Sequence, residues 1–337
     1  MSKPNIAVFG AGLIGSRHIL QANQQAQLCA IVDPSKEAVA VASGFDVALF
    51  ATPEDCLNSI RPDGVVVATP NHLHADQAIL CLEAGIPVLI EKPMAETLRN
   101  ADRIVAASER MSVPVLVGHH RRHNPIIARA KAAIEANMLG DIVAVNGQFW
   151  LYKPDDYFDA AWRKGPGAGP TMINLIHDID LLRYLCGEIV EVQAMRSNAA
   201  RGGQVEDTAA VMMRFASGAL GTFSVSDSVV APWSWEMTSG ENPIYPNVPQ
   251  SCYTIGGTQS GLSIPDLQLW TYDGPRSWWN QIGSATLKVE RADAFAIQFK
   301  HFIDVIKGAA PLVSAAEGRA SLAAVLKVVE SNLGPET

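Results

Sequence analysis

The run "NIAVFGAGLIGSRHI", residues 5 to 19, constrains this chain more than any other. An apolar, β-branched stretch ends in Gly10, Gly12 and Gly15 at G-x-G-x-x-G spacing, and a helical pattern follows. Between a strand and a helix, the first glycine permits a tight turn, the second lets a ligand approach the backbone, and the third lets helix and strand pack closely. The helix N-terminus turns its spare N–H groups toward an anion, so Gly10, Gly12, Leu13, Ile14 and Gly15 are expected to cradle a pyrophosphate. Asp33 closes the next apolar run about 20 residues on, where a carboxylate accepts hydrogen bonds from a ribose diol. Asp33 would repel a 2′-phosphate, and "VDPSKE" holds no arginine to receive one, which favours NAD; Lys36 leaves NADP open. Glycines that served turns alone would explain neither the strand context nor Asp33.

Five more apolar runs, "LCAIVD", "VALF", "GVVVAT", "IPVLIE" and "VPVLVG", alternate with helical segments such as "HADQAILCLEAG". That rhythm predicts a doubly wound parallel sheet, an α/β Rossmann domain over residues 1–121. Beyond it, Asn124 and Pro125 read as a cap and a first-turn proline, and the later strands ("IVAVNGQFW", "EDTAAVMMRF", "GALGTFSVSD", "SCYTIGG", "LQLWTYDG") alternate in polarity. Residues 122–337 are therefore expected to form an α+β domain with a large, mostly antiparallel sheet, used for substrate binding and oligomerisation. With 337 residues at 48% hydrophobic content, the chain can bury both cores.

Charge and cysteine content exclude several classes. Lys and Arg number 26 against 34 acids, for a net charge of −8, and no basic run would follow a phosphate backbone, so nucleic acid is not an expected partner. No apolar run has the roughly 18 residues that a membrane span needs. The five cysteines are scattered without a C-x-x-C pair, which suggests neither a disulfide framework nor a zinc site and fits a reducing cytoplasm.

The stretch "VLIEKPMA" places Glu91, Lys92 and Pro93 at the carboxyl end of the fifth strand, where an open parallel sheet binds its ligand. The charges are expected to face the cofactor crevice. With "ATPNHLHADQA", "GHHRRHNP" and "WRKGPGAGPTMINLIHDIDLLRYL", the chain resembles, over essentially its whole length, the glucose-fructose oxidoreductase, inositol dehydrogenase and MocA-like family. That resemblance implies an NAD-dependent dehydrogenase acting on a secondary alcohol of a sugar, cyclitol or related polyhydroxy acid. It implies that Lys92 sits near the nicotinamide ribose and the substrate oxygen, with a cis bond before Pro93, and that His177 exchanges a proton with the reacting hydroxyl. Thr69, Pro70, Asn71, His74, Glu91 and Lys92 are expected to line the cofactor site beside the glycine turn and Asp33.

Lys92, Trp162, Arg163, Asn174 and His177 are the expected substrate contacts, with Trp233 and Trp235 as an aromatic wall against the C–H face of a ring. The chain departs from many relatives at Ile173, where they carry an aspartate four residues before the histidine; Asn174 is the nearest polar residue that can take its place. His72 with His74, or His119 with His120 and His123, would suggest metal, but no acidic partner stands at ligand spacing, so none is expected. Arg122 reads as structural, pairing across the domains. A sheet with helices on one face leaves its other face apolar, which points to a homodimer or homotetramer. Two other activities fit the same cofactor core: a glycosidase or lyase using NAD transiently, and a dinucleotide sensor without turnover.

Overall fold

The computed structural model describes residues 3–165 and 167–331. They divide into two compact units, one reaching to His123 and including Ala294–Leu322, the other comprising Asn124–Asp293 and the residues after Leu322. A boundary drawn at residue 121 assigns 294–322 to the second domain, whereas they return to the first. The ends of that division, residues 1–2 and 332–337, lie outside the described residues.

The first unit runs β1 (Asn5–Phe9), α1 (Leu13–Gln25), β2 (Gln27–Val32), α2 (Glu37–Phe45), β3 (Ala48–Phe50), α3 (Pro53–Ser59), β4 (Gly64–Val67), α4 (His74–Glu83), β5 (Val88–Ile90), α5 (Leu98–Met111) and β6 (Val115–Val117). Its six strands are all parallel, in the order β3-β2-β1-β4-β5-β6. Ile6–Phe9, Val65–Val67 and Val88–Ile90 are buried without alternation, as a sheet covered on both faces requires. The order reverses between β1 and β4, so the loops leaving these two strands flank the crevice where such sheets bind ligands.

The second unit opens with α6 (Pro125–Glu135), whose first free N–H, that of Ile126, is capped by Asn124 Oδ1 at 2.9 Å. There follow β7 (Ile142–Trp150), α7 (Ile176–Cys186), β8 (Ile189–Ser197), β9 (Thr208–Phe215), β10 (Leu220–Ser226), the short α8 (Trp235–Thr238), β11 (Tyr253–Gly257), β12 (Gly261–Ile264), β13 (Gln268–Tyr272) and β14 (Ile282–Thr286). The eight strands lie in the order β14-β13-β12-β11-β7-β10-β9-β8 and pair antiparallel except for β7 with β10. Alternate residues of β9 (Ala209, Val211, Met213, Phe215) turn inward to a core shared with α6 and α7, while Met212 and Leu220 face outward. After β14 come α9 (Ala294–Ile306) and α10 (Ala315–Glu330). Among the described residues no helix is long and apolar enough to cross a membrane.

Candidate active site

The candidate cofactor residues stand on the strand ends of the first unit. Gly10 has φ +95°, and a Cβ there would lie 2.6 Å from the Ala68 carbonyl oxygen. One on Gly15 would lie 2.0 Å from the Gly10 oxygen, so neither position admits a side chain. Gly12 is the contrary case: a Cβ would meet nothing within 4 Å, leaving open backbone where a pyrophosphate would approach. Leu13 is exposed and Ile14 half-buried beside it. Asp33 accepts from Ala11 N and Ser35 N, both at 2.8 Å. Its burial favours the neutral acid, but the hydrogen bonds from Ser35 and Ala11 outweigh this and hold the carboxyl below its ordinary range. Asp33 is thus ionised at the end of β2 and also braces the glycine turn. Open backbone at Gly12 and an ionised acid at the end of β2 fit a dinucleotide with a free ribose diol.

The loop after β4 is held from behind. His74 is buried, with Nε2 2.7 Å from the Thr69 carbonyl oxygen and Nδ1 3.0 Å from that of Pro93. Burial pushes its pKa down, and a neutral ring carries one N–H, so it donates to one carbonyl at a time. The ring therefore ties the loops after β4 and β5 together instead of facing the crevice. Thr69 Oγ1 donates to Gln77 Oε1 at 2.7 Å, and Pro70 and Asn71 are exposed.

Glu91 departs from the expectation that both charges of "EKP" face the crevice. Its carboxylate is buried, with Oε1 2.8 Å from His18 Nε2 and Oε2 accepting from Lys92 N at 3.1 Å. Burial alone would raise its pKa; the interaction with His18, then the Lys92 charge, prevails and lowers it to about 2. Gly118 makes room for this acid, since a Cβ there would lie 3.1 Å from the Glu91 side chain. The His18 ring stacks 4.5 Å from Phe295 of α9. Lys92, half-exposed, follows this anchored acid, and its bond to Pro93 is cis. His18 was not legible as a site residue, although a polar group on the inward side of a helix that starts at a nucleotide turn is a usable signal.

The remaining candidate residues belong to the second unit. His177 is buried in the first turn of α7, directly after a π-helical turn over Thr171–Leu175 that holds Asn174. Such wide turns are rare and gather at functional sites. They also break the α-helical spacing on which a count of three or four residues back from His177 depends. Asn174 Oδ1 accepts from Lys153 Nζ at 2.8 Å. Lys153 is buried beyond the end of β7 and lies 3.5 Å from Asp227 Oδ2, which is also 3.1 Å from Arg201 through Oδ1. Burial holds the ammonium below the ordinary lysine range even though Asp227 works against it. Sequence reasoning missed Lys153, Arg201 and Asp227. The signal for the first was "LYKP", a lysine before a proline at a strand end, the same arrangement as "IEKP".

Arg163 donates to the Tyr157 carbonyl at 2.6 Å and lies over the Tyr157 ring at 4.2 Å, while Trp162 is 62% exposed. Arg163, Arg201 and Asp227 line one cavity of about 690 Å³, with room for a sugar-sized group. Trp233 packs edge-on against Trp150 at 5.7 Å. Trp235 corrects the expectation of an aromatic wall: it is 2% exposed and belongs to the core with Tyr253, because α8 turns it inward. Arg122 pairs with Glu317 at 3.0 Å within the first unit. His123 lies 2.8 Å from His301.

Residues 4–119 match the family described as "Oxidoreductase family, NAD-binding Rossmann fold", and residues 127–260 match the "GFO/IDH/MocA C-terminal domain". An inositol 2-dehydrogenase of Saccharopolyspora erythraea is 28% identical over 94% of this chain and 90% of its own length. A levoglucosan dehydrogenase of Pseudarthrobacter phenanthrenivorans is 32% identical over 47% of each chain. The WlbA dehydrogenase of Bordetella pertussis, solved with NADH and UDP-GlcNAcA, is 26% identical and has a TM-score of 0.77 over 98% of this chain and 96% of its own. With both halves matched and the strand-end lysine, glycine turn and helical histidine all in place, the chain belongs to the Gfo/Idh/MocA family of NAD-binding oxidoreductases.

Proposed function

We propose that this NAD-dependent oxidoreductase oxidises a secondary alcohol carried on a sugar, a cyclitol or a related polyhydroxy acid. The observation that carries the reading is Lys92, a half-exposed lysine set on a buried acid at the carboxyl end of β5, in the row of strand ends that includes Gly10 and Asp33. Gly10, Gly12, Leu13, Ile14, Gly15 and Asp33 would hold the dinucleotide, with Thr69, Pro70, Asn71 and Lys92 toward its nicotinamide end. NAD, when bound, supplies the hydride acceptor. As the carbinol carbon loses hydride, its oxygen gains negative character that the Lys92 ammonium stabilises more than it stabilises the bound alcohol. The hydroxyl proton passes to the imidazole of His177. Asn174 binds a neighbouring substrate oxygen, and Arg163 and Trp162 flank the remainder of the ring. The relatives named for inositol and levoglucosan, and the neighbour solved with a UDP-linked sugar acid, support a polyhydroxylated ring as the substrate.

The outward face of the second sheet supports a homodimer or homotetramer, since Met195, Met212, Leu220, Trp270 and Ile282 are all exposed there. A cytoplasmic location is part of the same proposal and rests on the scattered spacing of the cysteines in the sequence, which suggests no disulfide framework. The deciding experiment incubates the protein with NAD and a panel of sugars, inositols and hydroxy acids and follows the reduced-nicotinamide absorbance. Accumulating NADH matched to oxidised product is the expected result. Substrate cleavage without net NADH would point to transient oxidation, and NAD binding with no turnover on any polyol would point to a sensor.

A further inference from the structure

The second unit contains a buried lysine that the reaction as described does not use. Lys153 follows the end of β7, and its backbone is strapped to the end of β10: Lys153 N donates to the Asp227 carbonyl at 2.9 Å, and Arg201 Nη2 donates to the Lys153 carbonyl at 2.7 Å. The side chain is fixed as well. Nζ lies 2.8 Å from Asn174 Oδ1, 3.5 Å from Asp227 Oδ2 and 5.0 Å from the centre of the Tyr157 ring. An ammonium has donors and no acceptor, so only the oxygen end of the Asn174 amide can face it. The NH₂ end is thereby turned the other way.

We propose that Lys153 is a positioning residue for substrate recognition: it locks Asn174 with Oδ1 toward the ion pair, so that Asn174 meets the substrate as a hydrogen-bond donor. This rests on the reading above, in which Asn174 and His177, successive turns of one helical segment, serve the same substrate. It also deepens it. An ionised aspartate, which many relatives carry one residue earlier, could only accept a hydrogen bond, whereas a locked amide presents N–H groups and selects a substrate oxygen with a lone pair turned toward it. Asp227 serves to hold the ammonium in a place where burial disfavours charge, and Arg201 holds Asp227 in turn.

The test compares Lys153→Met, Asn174→Ala and the double variant. Acting through one amide, each single change lowers kcat/KM by about ten- to a hundred-fold, the range for stranding one hydrogen-bonding partner, while NAD affinity is unchanged. The double variant is then no worse than the worse single one. Lys153→Gln keeps an N–H donor without the charge, folds where Met does not, and recovers part of the loss. A readout independent of turnover is the ¹⁵N–¹H₂ signal of the Asn174 side chain, assigned by its loss in Asn174→Ala. It should shift and exchange faster with solvent in the Lys153 variants. Multiplicative kinetic losses, or an Asn174 signal unmoved by either Lys153 variant, would overturn the proposal. A moved signal in a protein that oxidises no polyol would leave the lock standing and overturn the substrate reading instead.

Discussion

Glu91 and Lys92 are neighbours in sequence with opposite fates, one sealed against His18 and the other half-exposed at the crevice edge. Replacing Lys92 with Met should lower kcat by about 10²–10³-fold with NAD affinity kept, because an oxyanion contact acts mainly in the transition state. Turnover near wild type, measured with a substrate from the panel, would remove Lys92 from the chemistry. Glu91 makes a different prediction. Its folded-state pKa, about 2, lies below the ordinary 4.5, so its contribution to stability is complete above about pH 5 and is lost as pH falls toward 2. Glu91→Gln should therefore melt below wild type at neutral pH, and the gap should close as both are melted in increasingly acid buffer. A gap that does not change with pH would mean the acid is not ionised in the fold. The glycine turn, Asp33 and Lys92 were legible because their context is local: a strand before, a helix or a proline after. His18, Lys153 and Trp235 were not, since each takes its role from a partner far along the chain, Glu91, Asp227 and Tyr253 respectively.

At the scale of elements, periodicity found what is buried and missed what is not. Strands β7, β9 and β10 alternate in burial and were visible, whereas β14 is exposed along nearly its whole length, β8 is mostly exposed, and β12 opens on a glycine. Pairing with a neighbour, not an apolar pattern, makes these segments strands. The place of α9 in the first unit was not legible, because sequence order carries no record of a chain that returns. Phe295, Phe299 and Phe302 are buried there, with Phe295 against His18 and under the Arg17 guanidinium at 4.3 Å. Phe295→Ala should lower the unfolding free energy by about 3–5 kcal/mol, the usual range for an aromatic lost from a core. It should also reduce kcat, since the shelf beneath the His18–Glu91 pair is gone. Urea unfolding with a change of under about 1 kcal/mol would show that α9 merely lies on the surface.

At the scale of the whole molecule, the outward face of the second sheet carries a row of exposed apolar side chains. Leu220 and Met212, 54% and 52% exposed, stand on adjacent strands of it. Leu220→Glu should shift the sedimentation velocity toward the monomer while leaving the circular dichroism intact; an unchanged oligomer would place the interface elsewhere. The parallel pairing of β7 with β10 carries a consequence in time. Parallel strands leave the sheet in the same direction, which brings Lys153 beside Asp227, yet α7, β8 and β9 must all be made before β10 can dock. Contacts of such long sequence separation close late. The glycine turn, by contrast, is built from β1, the start of α1, β2 and the end of β4, segments that follow one another early in the chain. During refolding, NAD-binding capacity should therefore return ahead of dehydrogenase activity, and stopped-flow fluorescence of bound nucleotide set against recovered turnover would expose the interval. Newly made chains would pass through a stage that already holds cofactor but does not yet recognise substrate.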